Sequence, residues 1–534
     1  MKRISLVVAA AILAAVTASA QAEISDPVQV DSGKISGIPA NADGIRVFKG
    51  IPFGAPPVGD LRWKEPQPVA KWNGVYKADH FRDVCIQPPG QGRQNIAVDV
   101  PGSPKMSEDC LYLNVWTGAA KASEKRPVMV WIYGGAFTEG AGSIGLYDGG
   151  VLARKGAVVV TLNYRLGPFG FFAHPALAAE SPHHTSGNYG ITDMLAALRW
   201  VQKNIAAFGG DPDNVTVFGQ SAGAMAISAL VGSPLSKGLF HRAISESGNW
   251  MGLRMGAMAP YAPAEAVGLK KAEAAGVKSL KDLRAMSAEE VTAKLGGRGL
   301  GGGMIADGYI FPKDLNKVFA TGQQNAVDVL VGSNAHESFF PGGPKAEQFK
   351  AQLKPRWGDL TDAVLKVYPA GTDAEAAASS AAMFSDEVTW LMRLYASDQL
   401  KLGKKAYVFS FAYNPPSPPG RQAFPTHAAE IPYVFDNLGQ PHLFPDMSSP
   451  ELAAKSPEAQ KLADTMSSYW VNFARTGNPN GKGLPNWPAY TGMDTGKAMI
   501  LDAKTMAEKK PNTAMLDLYT KLYNKESAGN ASGK

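Results

Sequence analysis

Five short runs rich in β-branched and aromatic residues show no polar–apolar alternation, and the first three end directly in turns. Residues 128–133 (VMVWIY) run into Gly134-Gly135-Ala136, residues 158–162 (VVVTL) into Asn163-Tyr164-Arg165, and residues 215–218 (VTVF) into Gly219-Gln220-Ser221. Residues 327–331 (VDVLV) and 406–411 (AYVFSF) follow later. Such runs suit strands covered on both faces, as in a mostly parallel sheet. Helical patterns lie between them. Residues 193–207 (DMLAALRWVQKNIAA) space their apolar positions near the helical period and stop at the breaker Gly209-Gly210-Asp211-Pro212. Residues 222–231 are small and apolar, suited to close packing under a sheet. This alternation predicts a doubly wound α/β fold. The 534 residues, 45 % of them hydrophobic, would allow several domains. Strands nevertheless resume after each Ala/Lys/Glu-rich stretch, at about 250–325 and 340–400. These read as helical insertions over one face of one domain spanning 23–534.

Composition excludes several functions. Charged residues make up 19 % and aromatics 9 %, with a mean hydropathy of −0.13, which is not the profile of a disordered chain. A net charge of +6 without a long basic run gives nucleic-acid binding little electrostatic support. Two cysteines rule out both a disulfide-rich scaffold and a four-cysteine zinc site. Residues 1–22 read as a secretory signal peptide. Lys2 and Arg3 precede an apolar run from Ile4 to about Val16, and Ala18-Ser19-Ala20 and Ala20-Gln21-Ala22 offer cleavage sites. Cleavage after Ala22 is expected, leaving an exported protein, periplasmic or secreted. The competing reading, an uncleaved anchor, has a run short of the ~20 residues a span needs, and no later stretch qualifies as a membrane span. In an oxidising compartment Cys85 and Cys110 are expected to form a disulfide, which closes a ring that loop entropy values at about 3.5 kcal/mol. Two separate buried thiols are the alternative.

Residues 219–223 (GQSAG) fit G-x-S-x-G between a strand and a helix. A sharp strand-to-helix turn lifts the serine hydroxyl clear of the sheet, and small neighbours permit the bend. The helix N-terminus below offers N–H groups to a developing oxyanion. With 57 glycines in the chain, chance supplies about a third of one such pattern, so its strand–turn–helix setting carries the signal. An ordinary glycine-rich turn is the bland reading.

Several blocks resemble the type B carboxylesterase family, the cholinesterase-like branch of the α/β-hydrolases, in the form of a bacterial-type secreted enzyme. They are SEDCLYLNVW (107–116), NYRLGPFGF (163–171), the long block 187–223 ending in GQSAG, RAISESG (242–248), ADGYIFP (306–312) and YWVNFARTGNPN (469–480). The resemblance spans about residues 27–490 and implies a serine carboxylesterase with an α/β-hydrolase fold and no cofactor or metal. By resemblance VGSNAHES (331–338) puts the catalytic acid on Glu337, and PTHAAEIPYVF (425–435) puts the catalytic histidine on His427. The order Ser221…Glu337…His427 is that of the α/β-hydrolases. Read alone, each could be an inert loop histidine or a solvated carboxylate. Resemblance further implies a hydroxyl beside the His–Glu pair at Ser247, whose bland role is a turn serine. It also implies oxyanion-hole N–H groups at Gly135, Ala136 and Ala222. Many relatives carry glycine where this chain has Ala136. Removing one such donor typically costs around 3 kcal/mol of transition-state stabilisation.

Other signals carry less. Gly297, Gly299 and Gly302 fit G-x-G-x-x-G without a clear strand before or helix after, so a flexible loop is expected there, with Arg298 solvated. His183-His184 share no helix face and lack a third ligand. Arg62 and Glu108 fall where the family has a structural ion pair. Two departures bear on the substrate, taken to be a small-molecule ester. Residues 86–109 contain no Trp, Tyr or Phe, and the neutral Gln220 precedes Ser221 where cholinesterases carry glutamate. Both remove attraction for a quaternary ammonium, so choline esters should be poor substrates beside neutral short-chain esters. A lipase acting on long acyl chains and a non-catalytic cholinesterase-like binding module are the alternatives.

Overall fold

The computed structural model describes residues 24 and 26–532, apart from 89–96, 98–101, 252–257, 297–302, 339–341, 420–422, 444–448, 505 and 509–512. The signal segment 1–22 and the glycine-rich Gly297–Gly299–Gly302 motif with Arg298 lie outside the described residues.

A ten-stranded sheet forms the centre. Its strands are β1 (Arg46–Pro52), β2 (Tyr112–Thr117), β3 (Arg126–Ile132), β4 (Val158–Leu162), β5 (Gly210–Gln220), β6 (Arg242–Glu246), β7 (Asp328–Asn334), β8 (Ala406–Phe411), β9 (Ala498–Leu501) and β10 (Met506–Glu508). They lie in the order β10-β9-β8-β7-β6-β5-β3-β4-β2-β1. Pairing is parallel from β4 through β9, and antiparallel where β1, β2 and β10 join the edges. All five residues of β4 are buried, as are Val128–Ile132 of β3. That is why neither segment alternates in sequence.

The helix expected at 193–207 begins earlier, as α1 (Tyr189–Asn204), and tightens into a 3-10 turn that Gly209 ends in the left-handed region at φ 79°. The breaker at residues 209–212 thus ends the helix, and its Gly210 also opens β5. Gly210 pairs with Arg126 and the ladder resumes at Val215↔Val128 after a register shift, so the Asp-Pro step sits in an irregularity. Helix α2 (Ala222–Val231) is buried at every position, as its small residues suggested. The region 340–400 holds α3 (Asp373–Leu400), 28 residues long, with Met383, Trp390, Leu391 and Tyr395 buried in the main core. One hydrophobic cluster includes residues from Val28 to Leu522.

Gly219↔Ile132 and Gln220↔Glu246 bring the carboxyl ends of β3, β5 and β6 level, and Glu246↔Gly332 adds β7. In open α/β sheets ligands bind beyond such ends.

Candidate active site

Ser221 follows the last residue of β5 and caps α2 with φ 54° and ψ −123°, a strained conformation for an L residue. Glycine on either side makes the bend possible. A Cβ on Gly219 or on Gly223 would run into the Ile132 carbonyl oxygen of the neighbouring strand. The Ser221 N–H donates to the Glu246 carbonyl at 2.8 Å, anchoring the elbow to β6.

His427 lies 206 residues downstream, yet its Nε2 is 2.8 Å from Ser221 Oγ. Its Nδ1 is 2.6 Å from Glu337 Oε2, a carboxylate fully buried in the loop after β7. The second oxygen, Oε1, accepts from the Asn334 N–H and the Ser247 hydroxyl, each at 2.7 Å. The Glu337 N–H donates to Ser385 Oγ at 2.9 Å, so α3 steadies the acid from behind. With Nδ1–H donating to Glu337, the Nε2 lone pair faces the serine hydroxyl, as a general base requires. Burial works to lower the His427 pKa, but the Glu337 hydrogen bond and charge, aided by Glu430, outweigh it and leave the imidazole above its ordinary value.

Ser221, Glu337, His427 and Ser247 thus converge at the carboxyl edge of the sheet. The loop after β3 approaches from the other side, and a Cβ on Gly134 would stand 3.0 Å from Ser221 Cβ. Gly135, Ala136 and Phe137 there have φ of 96°, 54° and 60°. Ala136 is exposed, so its methyl faces open space rather than the core. Ala222 begins α2, where N–H groups lack intrahelical acceptors.

Further contacts around the histidine were not read from sequence. Gln220, almost fully buried, has Nε2 at 3.1 Å from His427 Nε2 and so shares that lone pair with Ser221. Two more buried carboxyls lie behind the histidine. Burial and then the charge of Glu337 push Glu430 up to about 7. Burial and then the charge of Glu430 hold Glu246 well above the usual carboxylate range. Asn334 Nδ2 donates to Glu430 Oε2 at 2.5 Å and to the Thr426 carbonyl at 2.6 Å, while Trp470 Nε1 donates to Glu246 Oε1 at 2.8 Å. Their sequence signal was adjacency: Glu430 stands three residues after His427, and Glu246 directly precedes Ser247.

The expected disulfide joins Cys85 and Cys110. Arg62 and Glu108 form the expected ion pair, with Nε to Oε2 at 2.7 Å. His183 stacks on Tyr309 with ring centroids 3.6 Å apart. Among the described residues no group of three or more His, Cys, Asp or Glu side chains is placed to hold a metal ion, and no helix is long and apolar enough to cross a membrane.

The model of the Carboxylesterase family matches residues 25–519 of this chain. The chain belongs to that family. Fumonisin B1 esterase of Sphingopyxis macrogoltabida is 40 % identical over 486 residues, covering 88 % of this chain and 86 % of that one. Para-nitrobenzyl esterase of Bacillus subtilis (strain 168) is 37 % identical over 505 residues, covering 91 % and 96 %. Among solved structures, a PNB esterase superposes with a TM-score of 0.79 at 34 % identity, covering 92 % of this chain and 98 % of that one. A Geobacillus stearothermophilus carboxylesterase gives 0.76 at 32 %, covering 92 % and 99 %. This carboxylesterase therefore has the α/β-hydrolase fold and is a carboxylic ester hydrolase.

Proposed function

We propose that this carboxylesterase works through a serine acyl-enzyme, with Ser221 as nucleophile, His427 as general base and acid, and Glu337 as the orienting acid. The observation that carries this reading is the imidazole spanning the serine at 2.8 Å and the carboxylate at 2.6 Å. A serine hydroxyl is a weak nucleophile near neutral pH and needs such a base. As Ser221 Oγ bonds to the acyl carbon, its proton passes to His427 Nε2 and the carbonyl electron pair moves onto oxygen. The N–H groups of Gly135, Ala136 and Ala222 receive that oxyanion. Collapse breaks the bond to the alcohol oxygen, which takes the proton from Nε2. Water repeats the sequence and releases the acid, while Glu337 stabilises the imidazolium without becoming protonated.

Labelling by a fluorophosphonate and hydrolysis of a graded panel of neutral esters test this reading. Ser221→Ala and His427→Ala should lose activity on the order of 10⁴- to 10⁶-fold while keeping the fold, and Ser221→Ala should lose the label. Undiminished hydrolysis in Ser221→Ala would remove serine from the mechanism.

Two finer features belong to the same proposal. The substrate is a neutral short-chain ester, since Gln220 carries no charge and residues 86–109 offer no aromatic platform. The protein is exported, a reading supported by the Cys85–Cys110 disulfide, which suits an oxidising compartment. Mature protein should then start at Glu23 by intact mass; recovered protein still carrying Met1 contradicts export by cleavage.

A further inference from the structure

Residues 134–142, between β3 and β4, carry Gly135 and Ala136, so their placement over Ser221 fixes where the oxyanion donors point. Bonds within the loop set its shape: the Thr138 and Glu139 N–H groups donate to the Gly135 carbonyl at 2.9 and 3.1 Å. They do not set its height above the serine. That depends on ties from outside, among them Gly167 N–H to the Phe137 carbonyl and the Thr161 hydroxyl to the Gly142 carbonyl, both at 2.7 Å.

Two further ties come from buried carboxamides, and both lead to the disulfide. Gln87 meets the peptide of Gly140 on both sides. Its Oε1 accepts from the Gly140 N–H at 2.9 Å and its Nε2 donates to the Gly140 carbonyl at 3.1 Å. The same Nε2 donates to the Cys85 carbonyl at 3.1 Å. Asn163 repeats the arrangement. Its Oδ1 accepts from the Gly142 N–H at 2.9 Å, and its Nδ2 donates to the carbonyls of Cys110 at 3.2 Å and Asp83 at 3.3 Å. Each half-cystine is thus joined through one carboxamide to one glycine of the loop. Gly140 sits at φ 123°, and a Cβ there would strike the Tyr133 ring, so the loop has no side chain of its own to anchor it at that point. Gln87 and Asn163 are 4 % and 5 % exposed, so water cannot readily replace these bonds.

We infer that Gln87 and Asn163 are positioning residues for the oxyanion donors, and that through them the Cys85–Cys110 disulfide holds the loop in register with Ser221. This rests on the serine acyl-enzyme reading above. Displacement of preorganised donors by a fraction of an ångström weakens the transition state more than the bound ester. The signature is therefore a fall in kcat at nearly constant KM.

The test compares wild type and Gln87→Met, each oxidised and each after reduction by dithiothreitol, on p-nitrophenyl butyrate. A trifluoromethyl ketone, whose serine adduct carries the oxyanion, reports on the donors directly. Gln87→Met should lower kcat roughly 10- to 100-fold with KM within about threefold, weaken the ketone in parallel, and leave the acid limb of the pH profile in place. Reduction should lower kcat in wild type and lower it less in Gln87→Met, where only the Asn163 tie is left for it to loosen. If Gln87→Met does not fold, Gln87→Glu, which keeps the acceptor for Gly140 N–H and loses the donors, is compared in its place. Wild-type kcat unaffected by reduction, or losses from substitution and reduction that simply multiply, would overturn the inference. Wild type that neither hydrolyses the ester nor takes a fluorophosphonate would instead bring down the acyl-enzyme reading on which it stands.

Discussion

Two donors converge on one lone pair at His427 Nε2: the Ser221 hydroxyl at 2.8 Å and the Gln220 amide at 3.1 Å. A neutral amide in that place restrains the ring without adding charge. Glutamate would put a carboxylate against the imidazole and favour its protonated form. In the proposed mechanism the base must be neutral to accept the serine proton, so kcat/KM should rise with pH through the His427 pKa. Burial works to lower that pKa, but the Glu337 hydrogen bond and charge outweigh it and hold it above the ordinary imidazole value, so the acid limb of the wild-type profile should lie at higher pH than that of a free histidine. Gln220→Glu should shift the limb to higher pH, lower kcat/KM near neutrality about threefold to tenfold, and raise the ratio of choline-ester to neutral-ester turnover. Full pH profiles on both esters check this; an unmoved limb would mean the amide contact has no electrostatic influence on the base. The sign also holds for stability. A histidine whose folded pKa is raised contributes stability fully present below about 6.5 and lost as pH rises through its folded value. Glu430, raised to about 7, acts in the same direction, because the folded state holds its proton more tightly than the unfolded chain from about pH 4.5 upward.

What was legible at the scale of elements follows from how local each signal is. The strands at 128–133, 158–162, 327–331 and 406–411 were readable because burial on both faces imprints a mostly apolar run without alternation. The elbow was readable because two glycines and a serine fall between a strand and a helix, and the steric need for those glycines at the Ile132 carbonyl is strong. The breaker at residues 209–212 does stop the preceding helix, but Gly210 also opening β5 was not read, because Gly-Asp-Pro normally ends elements. Here it lies at an irregular register shift, where the missing proline N–H leaves no ladder bond unmade. Glu337 and His427 carried almost no local signal and were reached by resemblance to a family, since a triad is defined by distance in space. The contacts of Ser385 with Glu337, Gln87 with Gly140 and Asn334 with Glu430 join segments separated by 48 residues or more. No periodicity in a single chain reports them.

At the scale of the whole molecule, the proposed mechanism requires the loops after β3, β5, β6 and β7 and the segment around His427 to stay level to within a few tenths of an ångström. Surface charges contribute little to that, whereas charges inside the frame contribute a great deal. Lys350 and Glu347 pair at 3.1 Å on an exposed helix face, with side chains 41 % and 88 % exposed, where screening and side-chain entropy cancel most of the attraction. Arg165 and Asp193 are different. Their side chains are 4 % and 0 % exposed, Arg165 Nη2 lies 2.8 Å from Asp193 Oδ1, and both Arg165 Nε and its backbone N–H reach Oδ2 at 2.9 Å. This pair ties the turn after β4 to α1, beside the loop that carries Ala136. A buried pair is not a large net gain over an apolar one, but removing one partner strands the other charge away from water. Asp193→Asn keeps the shape and one acceptor oxygen while leaving the guanidinium uncompensated. It should cost about 3–5 kcal/mol in chemical denaturation at pH 7, whereas Glu347→Gln should be indistinguishable from wild type. Equal and small effects from both substitutions would show that the Arg165 charge finds another partner in the folded protein. The loop would then owe its position to the hydrogen-bonded backbone alone.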